Sequence, residues 1–326
     1  MIKVSIITPI YNVERFIARC AISLLEQTLQ EVEFIFVDDA TPDKSICLLQ
    51  EVLEHYPERK EQVILIRHET NQGLPAARNS GLAVAKGEYV FHCDSDDFVD
   101  STMLEQLYRT AKEYDADIVW CDWWLSFEKN ERYMGQPAYT TPMEALKGIL
   151  GGAMKFNVWN KLVRRSLYEE HQILFPSGYG MGEDMTMIRL FARARKVVYL
   201  PKAFYHYVQQ NSGAFCKTSS SKHLADVRHN VAVVLEDMRM LFGNRLEQEL
   251  AFFQLSVKFP FLIGDDPELY ALWQSWYPEA NRYIMQNKQV SLRSRCLQWL
   301  AWKHQFWAVR LYYICIHRLV YGVIYR

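Results

Sequence analysis

Tyr89-Val90-Phe91-His92-Cys93-Asp94-Ser95-Asp96-Asp97 is the stretch on which the fold turns. Five residues suited to a buried strand run directly into a loop holding three carboxylates, which cannot stay in an apolar layer. In an open α/β sheet, ligands bind beyond the carboxyl ends of the strands, so an acidic run at such an end marks a candidate site.

The flanking sequence supplies such a sheet. Upstream, Val4-Ser5-Ile6-Ile7, Glu33-Phe34-Ile35-Phe36-Val37 and Val63-Ile64-Leu65-Ile66 read as short buried strands. Residues 13–28, 43–56 and 74–85 carry helical spacing between them. Downstream, a helix over 101–114 precedes the strand Asp117-Ile118-Val119-Trp120-Cys121. Strand and helix in alternation predict a parallel sheet with right-handed crossovers. Polar clusters fall at three of the strand ends: residues 8–12, 38–41 and 94–97.

After residue 125 the pattern is mixed. Residues 143–150, 183–195, 222–245 and 246–262 read as helical, Val197-Val198-Tyr199-Leu200 as a strand, and 263–268 as a turn. The expected division is an α/β domain over 1–215, its pattern changing near 125, followed by a helical region over 216–326.

Half of the 326 residues are hydrophobic, enough for a real core and against long disorder. The chain carries 37 Lys and Arg against 38 Asp and Glu. With no excess of positive charge to displace counterions, nucleic acid is not an expected partner. No stretch of 18 apolar residues is free of charge, so no spanning helix is predicted. The seven cysteines include no C-x-x-C pair, and the N-terminal apolar run breaks at Pro9, unlike a secretion signal. A reducing cytosol is the expected compartment.

Taken singly, the polar clusters have structural alternatives. Asp94, Asp96 and Asp97 suit a hard divalent cation, yet Asp97, Asp100 and Ser101 would also cap the next helix. Asp38 and Asp39 could accept from a base or ribose, while Thr41 or Asp43 could cap. In the segment Asn71-Gln72-Gly73-Leu74-Pro75-Ala76-Ala77-Arg78-Asn79-Ser80-Gly81, Arg78 could meet a phosphate or lock an acidic loop. An EF-hand is excluded, for want of a Gly at loop position six and a Glu at twelve. No G-x-G-x-x-G follows the first strand, which removes a dinucleotide-binding reading. A sugar nucleotidyltransferase would need a glycine-rich basic loop that residues 5–14 lack. A non-catalytic assembly protein that keeps a nucleotide pocket is the other alternative.

In order and spacing, these blocks resemble the inverting family 2 glycosyltransferases of the GT-A fold. The matching residues are Ser5-Ile6-Ile7-Thr8-Pro9-Ile10-Tyr11-Asn12, Ser23-Leu24-Leu25-Glu26-Gln27-Thr28, Val37-Asp38-Asp39-Ala40-Thr41, Asn71 to Gly81, and Asp94-Ser95-Asp96-Asp97. The resemblance implies a Rossmann-like, mostly parallel sheet with helices on both faces and a helical C-terminal extension. It implies a nucleotide-sugar pocket lined by Thr8, Pro9, Tyr11, Arg78, Asp94 and Ser95, with Asp39 on the base, typically uracil. It places Mn²⁺ or Mg²⁺ on Asp96 with Asp97 beside it, leaving open which of the two acids touches the metal, and His206 is either a late metal ligand or a hydrogen-bonded structural histidine. Gly182-Glu183-Asp184 matches the acidic pair that holds the general base, Asp184 first and Glu183 second, where the structural alternative is an acidic pair complementing a helix dipole. The resemblance divides the catalytic domain over 1–215 into a nucleotide-binding half, about 1–125, and an acceptor half, about 126–215. In the latter, Trp159-Asn160-Lys161 resembles a block on the acceptor side, through Trp159 and Lys161, with a place in the core as the alternative for Trp159. Tyr205 to Ser212 resembles the segment that closes over the donor, but Val208 stands where many relatives have an Arg. The implied reaction is transfer, with inversion, from a UDP-sugar to a glycan or lipid-linked acceptor in cell-surface polysaccharide synthesis.

The last stretch has its own character. From residue 280 to 326 there are eight Lys and Arg and no Asp or Glu. Trp302, Phe306, Val309, Tyr313, Ile316, Val320 and Ile324 form one apolar helical stripe, and Lys303, Arg310 and His317 recur on another face. The tail over 293–326 is therefore expected to lie on an anionic membrane at its cytoplasmic face, or else to pack on the catalytic domain or a twin subunit in a homodimer.

Overall fold

The computed structural model describes residues 1–211 and 221–316. The chain divides into two compact units. One comprises Met1–Ala145 with Phe156–Glu236, the other Leu146–Lys155 with Asp237–Arg326.

The first unit is an α/β layer structure. Its strands are β1 (Val4–Ile10), β2 (Val32–Asp38), β3 (Val63–Arg67), β4 (Tyr89–His92), β5 (Phe98–Val99), β6 (Ile118–Ser126), β7 (Glu131–Met134), β8 (Lys161–Arg164) and β9 (Val197–Val208). Its helices are α1 (Ile17–Leu25), α2 (Ser45–Glu54), α3 (Leu74–Val84), α4 (Met103–Tyr114), α5 (Pro142–Gly151), α6 (Arg165–Glu170), α7 (Thr186–Phe191) and α8 (Ser221–Phe242). Helices α5 and α8 each run through a division point in the chain.

The sheet order is β3-β2-β1-β4-β8-β6-β9-β5, with β7 on β6. β1 pairs in parallel with β2 and β4, and β2 with β3. This is the half read from sequence as strand and helix in alternation. The sheet as a whole is mixed, because β8 enters antiparallel between β4 and β6, and β5 pairs antiparallel with β9. Ile6, Ile7, Phe34, Ile35, Phe36, Val90 and Phe91 are fully buried, as continuous apolar strands covered on both faces require.

One close approach positions the site. A Cβ on Gly81 would come within 2.5 Å of the Ile7 side chain. Its absence lets α3 lie directly on β1 and carries Arg78 close to the carboxyl ends of the central strands. β9 is much longer than the four-residue strand expected. It runs parallel to β6 past an irregularity near Asp122, so the segment expected to close over the donor is partly sheet. Strand length here is set by the partner, which local propensity does not record.

The second unit is helical: α9 (Glu247–Lys258), α10 (Pro267–Ser275), α11 (Leu292–Trp302) and α12 (Phe306–Tyr312), with 3-10 turns between. Asp266 caps α10 by accepting from the Glu268 amide at 2.9 Å, and Ser291 caps α11 by accepting from the Ser294 amide at 3.1 Å. Leu255, Leu262, Trp273, Ile284, Ala301 and Val309 form its core. Lys258 is buried there. Its ammonium donates to the Trp276 carbonyl and to Asn281, and sits 4.3 Å from the Trp273 ring centre.

The single long tail stripe is corrected by this arrangement. The helix breaks after Trp302, with His304 in the left-handed region at φ 57°. Phe306 and Val309 then face the unit's own core. His317, Val320 and Ile324, and also Ser212 and Cys216, lie outside the described residues. No helix among the described residues is long and apolar enough to cross a membrane.

Candidate active site

The three polar clusters are neighbours because β2, β1 and β4 are neighbours. Thr8 and Pro9 remain inside β1, buried and registered with Phe36 and Val37. The Thr8 hydroxyl is buried without a hydrogen-bond partner. Tyr11, just past the strand, is half exposed and offers a ring at the strand end. The Asn12 amide donates to Thr41 at 2.8 Å, tying the loop after β1 to the loop after β2.

Asp39 lies in that second loop and is buried. Its carboxylate accepts from the Gln72 and Gly73 amides, each at 2.8 Å, and meets His68 Nδ1 at 2.7 Å. A carboxylate has about four acceptor positions, so three are taken and one is left for a ligand. His68, which in turn meets Ser80 at 2.9 Å, was not legible as part of the site.

Beyond β4, four consecutive residues have different fates. Asp94 is partly exposed, and its backbone amide donates to the Tyr205 hydroxyl at 3.1 Å. Ser95 is buried. Asp96 is partly exposed and accepts from Asn211 at 2.8 Å. Asp97 is fully buried. Its two oxygens accept from the Val208 amide and the Tyr205 hydroxyl, both at 2.7 Å. Burial, then the charges of Asp96 and Asp94, push its carboxyl well above the ordinary range.

Asp97 is therefore corrected from cation ligand to the anchor that fixes the acidic loop against β9. His206 is corrected too. Its ring stacks on Phe98 at 4.2 Å, with Nδ1 2.6 Å from Glu131 and Nε2 3.2 Å from Asp100, so both nitrogens already have partners.

Arg78 organises the opposite wall. The side chain is 1% exposed, and Nη2 donates to Asp94 at 2.9 Å while lying 3.7 Å from Glu183. Burial opposes its charge, but Asp94, Glu183 and Asp184 outweigh burial and hold it firmly cationic. The next residue, Asn79, grips the loop that leads toward the acid pair. It donates to the Phe175 carbonyl and accepts from the Phe175 amide, both at 2.9 Å. Asn230 donates to the carbonyls of Tyr179 and Met181, holding the same loop from α8. Gly182, at φ 88°, then turns the chain into Glu183 and Asp184.

Glu183 and Asp184 form an acidic pair in which each carboxyl feels the other. Burial pushes both upward, the Asp184 charge adds to the effect on Glu183, and Arg78 opposes it at both. Asp184 Oδ1 is buried without a hydrogen-bond partner. A carboxylate raised in this way is suited to exchange a proton near neutral pH.

The acceptor-side expectation changes. Trp159 is 4% exposed and stacks on Tyr205 at 4.4 Å and Tyr207 at 5.2 Å, with Trp123 edge-on. It has no open face for a sugar and is corrected to core. Lys161 is also buried, donating to the Asn157 carbonyl and to Asn160. Burial pushes its ammonium down to about 7, and the Asp184 charge opposes this. It is corrected from an acceptor contact to a buried amine close enough to Asp184 for the two charges to act on each other.

A divalent cation of the Mn²⁺ or Mg²⁺ kind needs hard oxygen donors, typically one or two carboxylates, with water and phosphate oxygens completing the shell. Asp96 and Asp94, both partly exposed on one loop, fit that demand. Among the described residues no group of three His, Cys, Asp or Glu forms a preassembled cage.

Residues 5–181 match the family model described as Glycosyl transferase family 2. The uncharacterized glycosyltransferase EpsJ of Bacillus subtilis is 36% identical over 212 residues, covering 63% of this chain and 60% of EpsJ. The chain thus spans about three fifths of that relative's length. Among solved structures, Staphylococcus aureus TarS 1–349 in complex with UDP-GlcNAc shares the fold with a TM-score of 0.69 at 21% identity, covering 96% of this chain and 91% of that one. The mannosyltransferase PcManGT of Pyrobaculum calidifontis, in complex with GDP-Man and Mn²⁺, gives a TM-score of 0.52 at 15% identity over 96% of this chain and 87% of that one.

Proposed function

Because the chain belongs to glycosyl transferase family 2, we propose that it moves a sugar from a UDP-sugar to a hydroxyl of a glycan or lipid-linked acceptor, with inversion, in the making of a cell-surface polysaccharide. The observation that carries the reading is the Arg78 bridge, which gathers Asp94 of the β4 loop and Glu183 of the acid pair around one buried cation. The donor belongs beyond β2, β1 and β4, with Tyr11 and Asp39 toward the base and Asp94 toward the ribose and sugar. UDP-GlcNAc in the TarS structure supports a uridine donor.

In the reaction, the acceptor hydroxyl gives its proton to the Asp184 carboxylate as its oxygen forms the bond to the anomeric carbon. The bond from that carbon to the diphosphate oxygen breaks, and its electron pair leaves with UDP. A single in-line displacement inverts the configuration. Asp96, with Asp94, would hold a divalent cation, which when bound neutralises charge on the departing diphosphate. The Mn²⁺ in the PcManGT complex supports the use of a divalent cation. Glu183 and Arg78 flank the base, and Lys161, when protonated, favours its ionised form.

The test is UDP release from a panel of UDP-sugars with Mn²⁺, for the parent and Asp184→Asn. Turnover by the parent with a loss of about 100-fold or more in the variant supports the reading. A chain that binds UDP and turns over no donor, across a broad acceptor panel, would be a non-catalytic assembly protein.

A further inference from the structure

The second unit leaves an unusual surface on α11 and α12. The buried residues Ala301 and Val309 point these helices into the core. On the outer side, Leu292 is 59% exposed, Trp307 68% and Leu311 53%, and Trp299 and Trp302 are exposed as well. Leu292, Cys296, Trp299 and Lys303 follow one another at steps of three and four along α11, and Trp307 and Leu311 do the same on α12. A groove of about 700 Å³ adjoins them, lined by Pro267, Tyr270, Phe306, Trp307, Leu311 and Ile314, with Asp265 and Arg310 also on its wall.

Asp265 apart, the charges carried by the segment that forms this apolar face have one sign. Residues 280–316 carry Arg282, Lys288, Arg293, Arg295, Lys303 and Arg310, and no Asp or Glu. Lys303 lies 4.5 Å from the Trp302 ring centre, and Arg293 lies 5.8 Å from that of Tyr312. Long basic side chains folded over aromatic rings can cover apolar surface while keeping their heads in water. Exposed Trp and Leu ringed by Arg and Lys suit the boundary between lipid headgroups and acyl chains. A second copy of this chain is a poorer occupant, because a two-fold interface would set Arg293, Lys303 and Arg310 against themselves, with Asp265 the acid that the groove wall offers against them.

We propose that the outer face of α11 and α12 docks on an anionic lipid bilayer, with Trp307 and Leu311 entering the headgroup region and Arg293, Lys303 and Arg310 meeting lipid phosphates. This differs from the stripe read in the sequence, whose Phe306 and Val309 are spent on the core. The proposal is independent of transferase chemistry, and its test uses no donor.

The full chain is sedimented with vesicles of phosphatidylcholine and phosphatidylglycerol in equal parts, and with phosphatidylcholine alone. Binding to the mixed vesicles, weakened by salt and absent from the neutral ones, supports the proposal. Lys303→Glu and Arg310→Glu should each weaken binding about fivefold or more, and Trp307→Ala with Leu311→Ala about tenfold. All four positions are exposed, so the variants should unfold with the parent midpoint. Failure to bind either vesicle, equal binding to both, or parent-like binding by the variants overturns it. So does a dimer seen by light scattering that the Trp307→Ala, Leu311→Ala variant dissolves.

Discussion

Arg78 and Asp94 are joined by a 2.9 Å charged hydrogen bond in which the Arg78 side chain is almost wholly enclosed. They stand sixteen positions apart in the chain, yet the bond fixes α3 to the loop after β4. It also brings the guanidinium within 3.7 Å of Glu183. Removing one partner of a buried pair leaves the other charge uncompensated. Arg78→Met is therefore expected to cost about 3–5 kcal/mol in urea unfolding. It should also reduce turnover by more than Arg78→Lys, which keeps the charge.

Activity and stability should respond to pH in opposite directions. Burial, opposed by Arg78, raises Asp184 to about 6, above the ordinary carboxylate value near 4. A base must be ionised, so turnover should rise as pH passes through about 6. For folding the sign reverses: the native state holds the proton more tightly than the unfolded chain. Stability contributed by the pair is present at low pH and lost as pH rises from about 4 through the raised values. Urea midpoints between pH 4.5 and 8, compared with those of Glu183→Gln and Asp184→Asn, check this, since the variants should flatten the fall.

Adjacent acids should give contrasting variants. Asp97→Ala strands the Val208 amide and the Tyr205 hydroxyl, and should destabilise the fold by about 1–3 kcal/mol for each buried group left unpaired. Asp96→Ala, at a partly exposed position, should change stability by no more than about 0.5 kcal/mol. Its turnover should nevertheless fall about 100-fold, and thermal stabilisation by Mn²⁺ with UDP should vanish. Parent-like turnover in Asp96→Ala would remove it from the cation.

Tyr205→Phe tests the anchor from its other side. Loss of the hydroxyl frees the Asp94 amide and one oxygen of Asp97. Expected are a loss of about 1–3 kcal/mol in stability and weaker UDP binding by calorimetry, with the pH midpoint of turnover unmoved.

Trp159 should behave as core. Trp159→Ala is expected to cost about 3–5 kcal/mol. Trp159→Phe, keeping an aromatic between Tyr205 and Trp123, should leave the acceptor KM near the parent value. A selective rise in that KM without loss of stability would return Trp159 to the acceptor.

Much of this molecule is written in local pattern. The apolar runs of β1, β2 and β4 demand burial on both faces, and the acidic turns after them mark the functional edge, because carboxylates cannot remain in that layer. Asp39, Arg78, Asp94 and Asp184 are candidates on that basis together with a family resemblance, and the structure brings Arg78, Asp94 and Glu183 to one place. What no local pattern carries is the direction of a side chain after the chain has closed on itself. Asp96 and Asp97 are adjacent acids in one motif, yet β9 arrives 111 residues later to claim only Asp97. His206 and Trp159 have the chemistry of ligands but are enclosed by Glu131, Asp100, Tyr205 and Tyr207. Phe306 and Trp307 are neighbours in one aromatic stretch, and only packing decides that the first faces the core and the second faces out. Composition and periodicity state what must be buried or solvated on average. Which particular group is buried depends on long-range partners, whose energies are comparable to local propensities and absent from them.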